Sequence, residues 1–354
     1  MKIVRILLMT AIIFSFIGVY MNYSEQEEFN VNKNVSLPTN NSLSSTSLES
    51  IDNEQEILMP TKGLYTYLGK ASDEVEESFG KPDRVEPSSY GYEWWVYNID
   101  VSSYMQVGVQ NNKVVTIFAI GENVNISPLL IGQPIDEVFE LLPIESIVSL
   151  NIKNNSYRFE LSEEELNVKP LVKIGDVFIQ LYFDKFTSEL SSVRYMDAET
   201  LIKLRPYELV YRGELLSAEE LSPKKWEEVE NGNAQQILEI TNMIRVRHNL
   251  QPVLWNEKVA NVAYKHSKDM LEENFFSHES PRNGGLSDRL STGEVFFQLA
   301  GENIAAKYID GIAVVEGWLN SEGHRKTLLN EKFTELGVGV YEKYYTQNFI
   351  QTWD

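Results

Sequence analysis

The residues best suited to chemistry in this 354-residue chain are four histidines, His248, His266, His278 and His324, all in its last third. A neutral imidazole is a general base near neutral pH and a common metal ligand. Two imidazoles with a carboxylate can hold a divalent ion, and an open position on that ion activates water. No His-Glu-x-x-His helix is present, and His278-Glu279-Ser280 does not approach one. Ser277 adjoins His278, and Ser321 lies three residues before His324. Neither serine comes with a signal for an oxyanion hole or an orienting acid, so no nucleophile is evident. The chain has no cysteine. That excludes a disulfide framework, a thiolate zinc site, a thiol nucleophile and an acylated lipoprotein cysteine.

The elements that must position these residues are short and mixed. Ile237, Ile240, Thr241, Ile244 and His248 fall at helical spacing. Gln251-Pro252 breaks that helix, and Leu254-Trp255-Asn256 begins the next, whose apolar face is Val259, Val262, Ala263, His266 and Met270. Phe276-Ser277-His278 follows directly. A loop with Gly284-Gly285 leads to Asp288-Arg289-Leu290 and then to Gly301-Glu302-Asn303. Residues 313–320 form a short helix containing Trp318, followed by Ser321-Glu322-Gly323-His324-Arg325. Strands at 336–340 and 345–351 close the chain. In this frame His248 and His266 are structural, Trp318 is core, and Asn303 and Asp288 hold loops through side-chain to backbone bonds.

The order of these pieces resembles the CAP superfamily of cysteine-rich secretory, antigen-5 and pathogenesis-related-1 proteins. The matching residues are Asn242…Arg245, Leu254-Trp255-Asn256, Ser277-His278, Gly301-Glu302-Asn303-Ile304, Trp318-x-x-Ser321-x-Gly323-His324-Arg325, Gly337-Val338-Gly339 and Tyr345-Thr346-Gln347. Gly-Glu-Asn alone is weak, since it recurs at residues 121–123; seven pieces in order over the last third are specific. The resemblance implies an α-β-α sandwich with a cavity lined in many members by two histidines and two glutamates. His278 matches the first histidine and Glu302 the first glutamate. Ser321 stands where the second glutamate falls, and Tyr344 where the second histidine falls. His324 and Glu322 are the substitutes nearest to hand, and the sequence departs from the family tetrad at Ser321 and Tyr344. Beside the reading of His278 and Glu302 as a functional cavity stands that of a hydrogen-bonded structural pair. For His324 the alternative is a helix C-terminal role.

Upstream, Lys2 and Arg5 precede sixteen uncharged, mostly apolar residues, 6–21. This is the pattern of an export signal. No small-x-small cleavage site stands out, which favours a signal anchor over 1–23, with the bulk outside, against a cleaved signal peptide. Residues 24–58 are rich in Ser, Asn, Glu and Thr and read as a flexible tether. In the middle region, Leu68-Gly69 and Ile131-Gly132 each open a short acidic helix closed by Pro82 or Pro143, and each helix runs on into three strands. That predicts a duplicated αβββ domain over 59–212, joined by a helical segment, 213–235, to the C-terminal domain, 236–354. The cluster of Tyr90, Tyr92, Trp94, Trp95 and Tyr97 reads as core, with a carbohydrate-stacking platform as the alternative.

The net charge is −21, with 19 basic and 36 acidic residues before residue 235 and 12 and 16 after it. A surface this acidic repels phosphate backbones and excludes nucleic acid as a partner. The expectation is therefore an α+β protein: a CAP-type sandwich preceded by the duplicated domain and an apolar N-terminal helix. Its expected function is that of an extracytoplasmic, membrane-tethered protein, held through residues 6–21, that binds an envelope ligand or protein. The cavity residues are His278, Glu302, His324, Ser321 and Glu322. A zinc, magnesium or calcium ion at His278, Glu302 and His324 would make a metal-assisted hydrolase the alternative.

Overall fold

The computed structural model describes residues 62–100 and 102–353. The apolar segment at 6–21, the tether and the first residues of the middle domain lie outside the described residues. The architecture is α+β, as expected, and the described chain divides in sequence into a middle module and a C-terminal module.

A 3-10 turn (Leu64–Tyr67) leads into α1 (Ser72–Phe79) and four strands: β1 (Arg84–Pro87), β2 (Glu93–Asn98), β3 (Tyr104–Gln110) and β4 (Lys113–Ala119). Then come α2 (Ile135–Leu141), β5 (Ile147–Ile152), β6 (Asn155–Glu160), α3 (Glu163–Val168), β7 (Leu171–Ile174), β8 (Val177–Asp184), β9 (Glu189–Met196), α4 (Ala198–Leu204) and β10 (Glu208–Arg212). Seven strands form one antiparallel sheet in the order β1-β2-β3-β4-β9-β8-β7, and β10-β6-β5 form a second. The αβββ pattern read from sequence lacks β1, β5, β7 and β10. These are short, and their alternation is diluted by Glu, Asn and Lys, so period alone does not mark them.

The two segments that resemble one another in sequence have matching local geometry. Gly69 and Gly132 both adopt φ +83°, and their N–H groups donate to Val114 and Leu190, each at 2.8 Å. Ser72 and Ile135, which open α1 and α2, donate to Asn112 and Ser188 at the turns of the β3–β4 and β8–β9 hairpins. Tyr90, Tyr92, Trp94 and Tyr97 are buried, as a core role requires.

The C-terminal module comprises α5 (Pro223–Arg247), β11 (Leu254–Trp255), α6 (Glu257–Glu272), α7 (Leu286–Thr292), β12 (Leu299–Ala306), α8 (Gly311–Leu319), α9 (Glu322–Leu328), β13 (Glu335–Tyr341) and β14 (Tyr344–Gln351). Two readings change here. The boundary expected near 235 falls inside α5, because Ser222 caps the helix, Pro223 fits its first turn, and nothing interrupts it before Arg247. Leu254-Trp255 does not begin a helix but pairs in parallel with β13; Asn256 is the cap of α6, accepting from the Val259 N–H.

The sheet order is β11-β13-β14-β12, with β12 at one edge. Its two faces are assigned by neighbouring β14 side chains. Thr346 takes a bond from Ser267 of α6, while Gln347 donates to Thr241 of α5. Gly337 and Gly339 let α6 sit hard against the sheet: a Cβ there would lie 2.0 Å from Ala260 N and 1.8 Å from Tyr264 N.

The two modules share one core, in which Tyr92, Trp94 and Tyr182 lie with Ile237, Ile312 and Val315. Polar bonds cross the seam as well. Arg84 pairs with both oxygens of Glu239 at 2.6 and 2.8 Å, and Arg194, fully buried, meets Asp310 at 2.7 Å. Arg325 meets Asp184 at 2.8 Å. Glu316 accepts from Ser191 and Ser192 at 3.1 and 2.5 Å. These bonds engage α5, α8 and α9, on the face of the sheet away from α6.

Candidate functional site

Glu302 on β12 is the centre of the site. Its cross-strand partner is Asn348, so its side chain shares the α6 face with the row through Gly337. The loop after α6 turns back over this face and delivers His278 to the carboxylate, Nδ1 lying 2.8 Å from Oε1. Arg289, buried on α7, approaches from the interior with Nη2 2.5 Å from Oε2. Its Nη1 donates to the carbonyls of His278 and Gly284, so the same guanidinium fixes both the carboxylate and the loop. Asp288 caps α7 by accepting from the Gly285 N–H at 3.0 Å.

The site is graded from outside to inside. The His278 side chain is 55 % exposed and that of Glu302 only 3 %. Burial alone would raise the Glu302 pKa, but the bond from His278 and the charge of Arg289 outweigh it and hold the carboxyl below its usual value. His266 lies beneath, with Nε2 3.1 Å from the Ser277 carbonyl and 4.0 Å from Glu302 Oε1. Burial depresses its pKa, so it stands neutral.

His324 sits on the other side of the β12 edge. It lies in the first turn of α9, not at a helix C-terminus, and its Nδ1 is 2.9 Å from Ser321 Oγ. Asn303, the neighbour of Glu302, donates to the His324 carbonyl at 3.2 Å and ties α9 to the strand. Burial first, and the charge of His278 second, push the His324 pKa down to about 4. His278 therefore acts on His324 across the edge.

Other expected site residues are placed elsewhere. Glu322 points to solvent and pairs with Lys326 at 2.7 Å across one exposed helical turn. It is not a second cavity carboxylate, because the α9 turn that buries His324 directs position 322 outward. A divalent ion at His278, Glu302 and His324, the alternative suggested by the donor types, does not fit this arrangement. Among the described residues no group of three or more His, Asp or Glu side chains is arranged to hold a metal. The physical reason is Arg289, whose guanidinium already occupies one Glu302 oxygen and neutralises the charge a cation would need. Of the expected trio, His278 and Glu302 are bonded to each other, while His324 is bonded to Ser321.

Among the described residues neither Ser277 nor Ser321 is poised as a nucleophile. The Ser277 hydroxyl accepts from the Glu279 N–H at 3.0 Å and shapes the turn. Ser321 faces a histidine too acidic to act as a base near neutral pH. Sequence reading missed Arg289, for which no local signal exists beyond the Gly284-Gly285 entry to its helix. Asn242 and Arg245, part of the family resemblance, are structural. Asn242 pairs with the backbone of Val253, and Arg245 donates to the carbonyls of Gln251, Leu328, Asn330 and Phe333.

Comparison with known proteins agrees with this fold. Residues 68–207 match the CAP-associated N-terminal family model, and residues 238–353 match that of the cysteine-rich secretory protein family. The uncharacterized membrane protein YlbC of Bacillus subtilis is 52 % identical over 315 residues, covering 89 % of this chain and 91 % of that protein. The uncharacterized protein YkwD of the same organism is 39 % identical over 118 residues, 33 % of this chain and 46 % of its own length. A 1.5 Å crystal structure of an extracellular protein containing an SCP domain, from Bacillus anthracis, aligns with TM-score 0.80 at 48 % identity. It covers 90 % of this chain and 100 % of that one. A cysteine-rich secretory protein from Staphylococcus aureus, SAV1118, aligns with TM-score 0.74 at 30 % identity, over 83 % and 94 %. With matched modules and relatives spanning nearly its whole length, this chain belongs to the cysteine-rich secretory protein (CAP) family, its CAP domain preceded by a CAP-associated N-terminal module.

Proposed function

We propose that this protein is tethered outside the cell through residues 6–21 and uses the His278–Glu302 edge of its CAP domain to bind a ligand or partner protein at the envelope. The observation that carries the binding role is the state of Glu302. Arg289 engages one of its oxygens and the other holds a half-exposed imidazole in one orientation, while the neighbouring Ser277 hydroxyl is spent on the turn. Such a pair presents a fixed hydrogen-bonding group to the outside, which suits recognition. The location is supported by the charged and then apolar N-terminus, and by relatives described as a membrane protein and an extracellular protein. The middle module is part of the same proposal: a duplicated unit, supported by the matching bonds at Gly69 and Gly132, that braces the opposite face of the CAP domain.

The test uses the full chain expressed in a bacterial host. It should fractionate with membranes, and isolated envelope fragments should retain the protein. The double variant His278→Ala, Glu302→Gln should lose most of that retention while keeping its helical circular dichroism. Full release of the wild type into the medium would overturn the tether. Equal retention of the folded variant would overturn the binding site.

A further inference from the structure

Behind Glu302 lie buried polar groups that the binding reading does not use. Asn348 is the register partner of both Glu302 and Gly337, so all three face α6. Asn348 is 0 % exposed, yet neither its Oδ1 nor its Nδ2 has a hydrogen-bond partner. His266 comes from α6 one residue before Ser267, which bonds Thr346, the next β14 residue on that face. The Ser277 carbonyl can only accept, so His266 Nε2 carries the ring proton. Its Nδ1 is then a bare lone pair, buried and without a donor. The Arg289 Nε–H nearby is unpartnered too. Such groups are costly to leave without partners, and folded proteins resolve such clusters with an ordered guest.

We infer that Asn348 and His266 hold a small amphiprotic guest behind Glu302, a water molecule or a hydroxyl compound of similar size. The class follows from the walls. His266 Nδ1 needs a donor, and Asn348 offers one acceptor and two donors, so the guest must both give and take hydrogen bonds. An anion would meet the Glu302 carboxylate and the bare Nδ1. A cation would meet the amide N–H groups and Arg289. The guest supports the buried side of Glu302, and Glu302 in turn orients His278; Asn348 and His266 are thus positioning residues.

Two measurements on the full chain test this. In a cycle of Asn348→Leu, His266→Phe and the double variant, each single change should lower the unfolding midpoint by about 2–4 °C. The double variant should fall little further, since either change releases the same guest. An unchanged or raised midpoint for Asn348→Leu, or fully additive losses, would overturn the inference. The second is nitrogen NMR of labelled histidine, assigned with His266→Phe. The unprotonated His266 Nδ1 should resonate at the position of a hydrogen-bonded acceptor, whereas a free-acceptor shift would overturn the inference even if the variants misfold. A signal unchanged after exhaustive exchange into plain buffer identifies water. One that moves identifies a hydroxyl compound carried with the protein. Retention on envelope fragments is a separate readout, so failure here leaves the His278 reading standing.

Discussion

The guanidinium of Arg289 reaches Glu302 from the buried side, with Nη2 2.5 Å from Oε2, while His278 holds the other oxygen from the solvent side. The carboxylate is thus neutralised from within and presented from without. Replacing Arg289 with Met strands a buried charge, which costs about 3–5 kcal/mol. Chemical denaturation should show that loss, and Arg289→Lys should recover only part of it, because one ammonium cannot also serve the His278 and Gly284 carbonyls.

Two buried groups tilt stability in opposite directions with pH. His324 has its pKa lowered from 6.5 to about 4. Its contribution is therefore complete above 6.5 and is lost as pH falls toward 4. Glu316, buried at the seam beside Ser191, Ser192 and Arg247, has its pKa raised from 4.5 to about 7. Its contribution is complete below 4.5 and is lost as pH rises through 7. Across 4.5–6.5 the two slopes cancel. Glu316→Gln should remove the falling slope, so that its midpoint gains on the wild type as pH climbs from 4.5 to 7. A midpoint difference independent of pH would count against this assignment.

At the seam, Asp310 does two jobs: it caps α8 by accepting from the Ala313 N–H at 3.0 Å, and it neutralises buried Arg194. Asp310→Asn keeps an oxygen for the cap and loses the charge, whereas Asp310→Ala loses both. The alanine variant should therefore be the less stable by about 1 kcal/mol, the usual worth of a cap. Calorimetry of the two variants separates the terms.

Gly337 and Gly339 are required by closeness, not by backbone angle. Alanine at either position drives a methyl group into the α6 backbone and should cost at least about 1–3 kcal/mol. The soluble yield and the unfolding midpoint should both drop. Because α6 carries His266 and leads to His278, retention on envelope fragments should fall with them.

Glu322→Ala supplies the contrasting case. Its partner Lys326 is equally exposed, so solvent screens the pair and the fold does not lean on it. Retention on envelope fragments and the unfolding midpoint should both match the wild type.

The sequence by itself determined the fold class, the CAP resemblance and, through that resemblance, the choice of His278 and Glu302 as cavity residues. Each rests on local or ordered signals: helical period at Ile237–Ile244, short strands at the end of the chain, and motif pieces in order. Only the tertiary structure decided what Glu302 does with its second oxygen, where His266 and Asn348 stand, and which way Glu322 points. Arg289 and Glu302 are thirteen residues apart, and Glu302 and Asn348 forty-six. Nothing in their local spacing records that a short helix and a neighbouring strand bring them to one face. The alternative of a bound divalent ion meets the same limit. Donor types can be read from a sequence, but a cation already seated on the carboxylate appears only once the chain has folded.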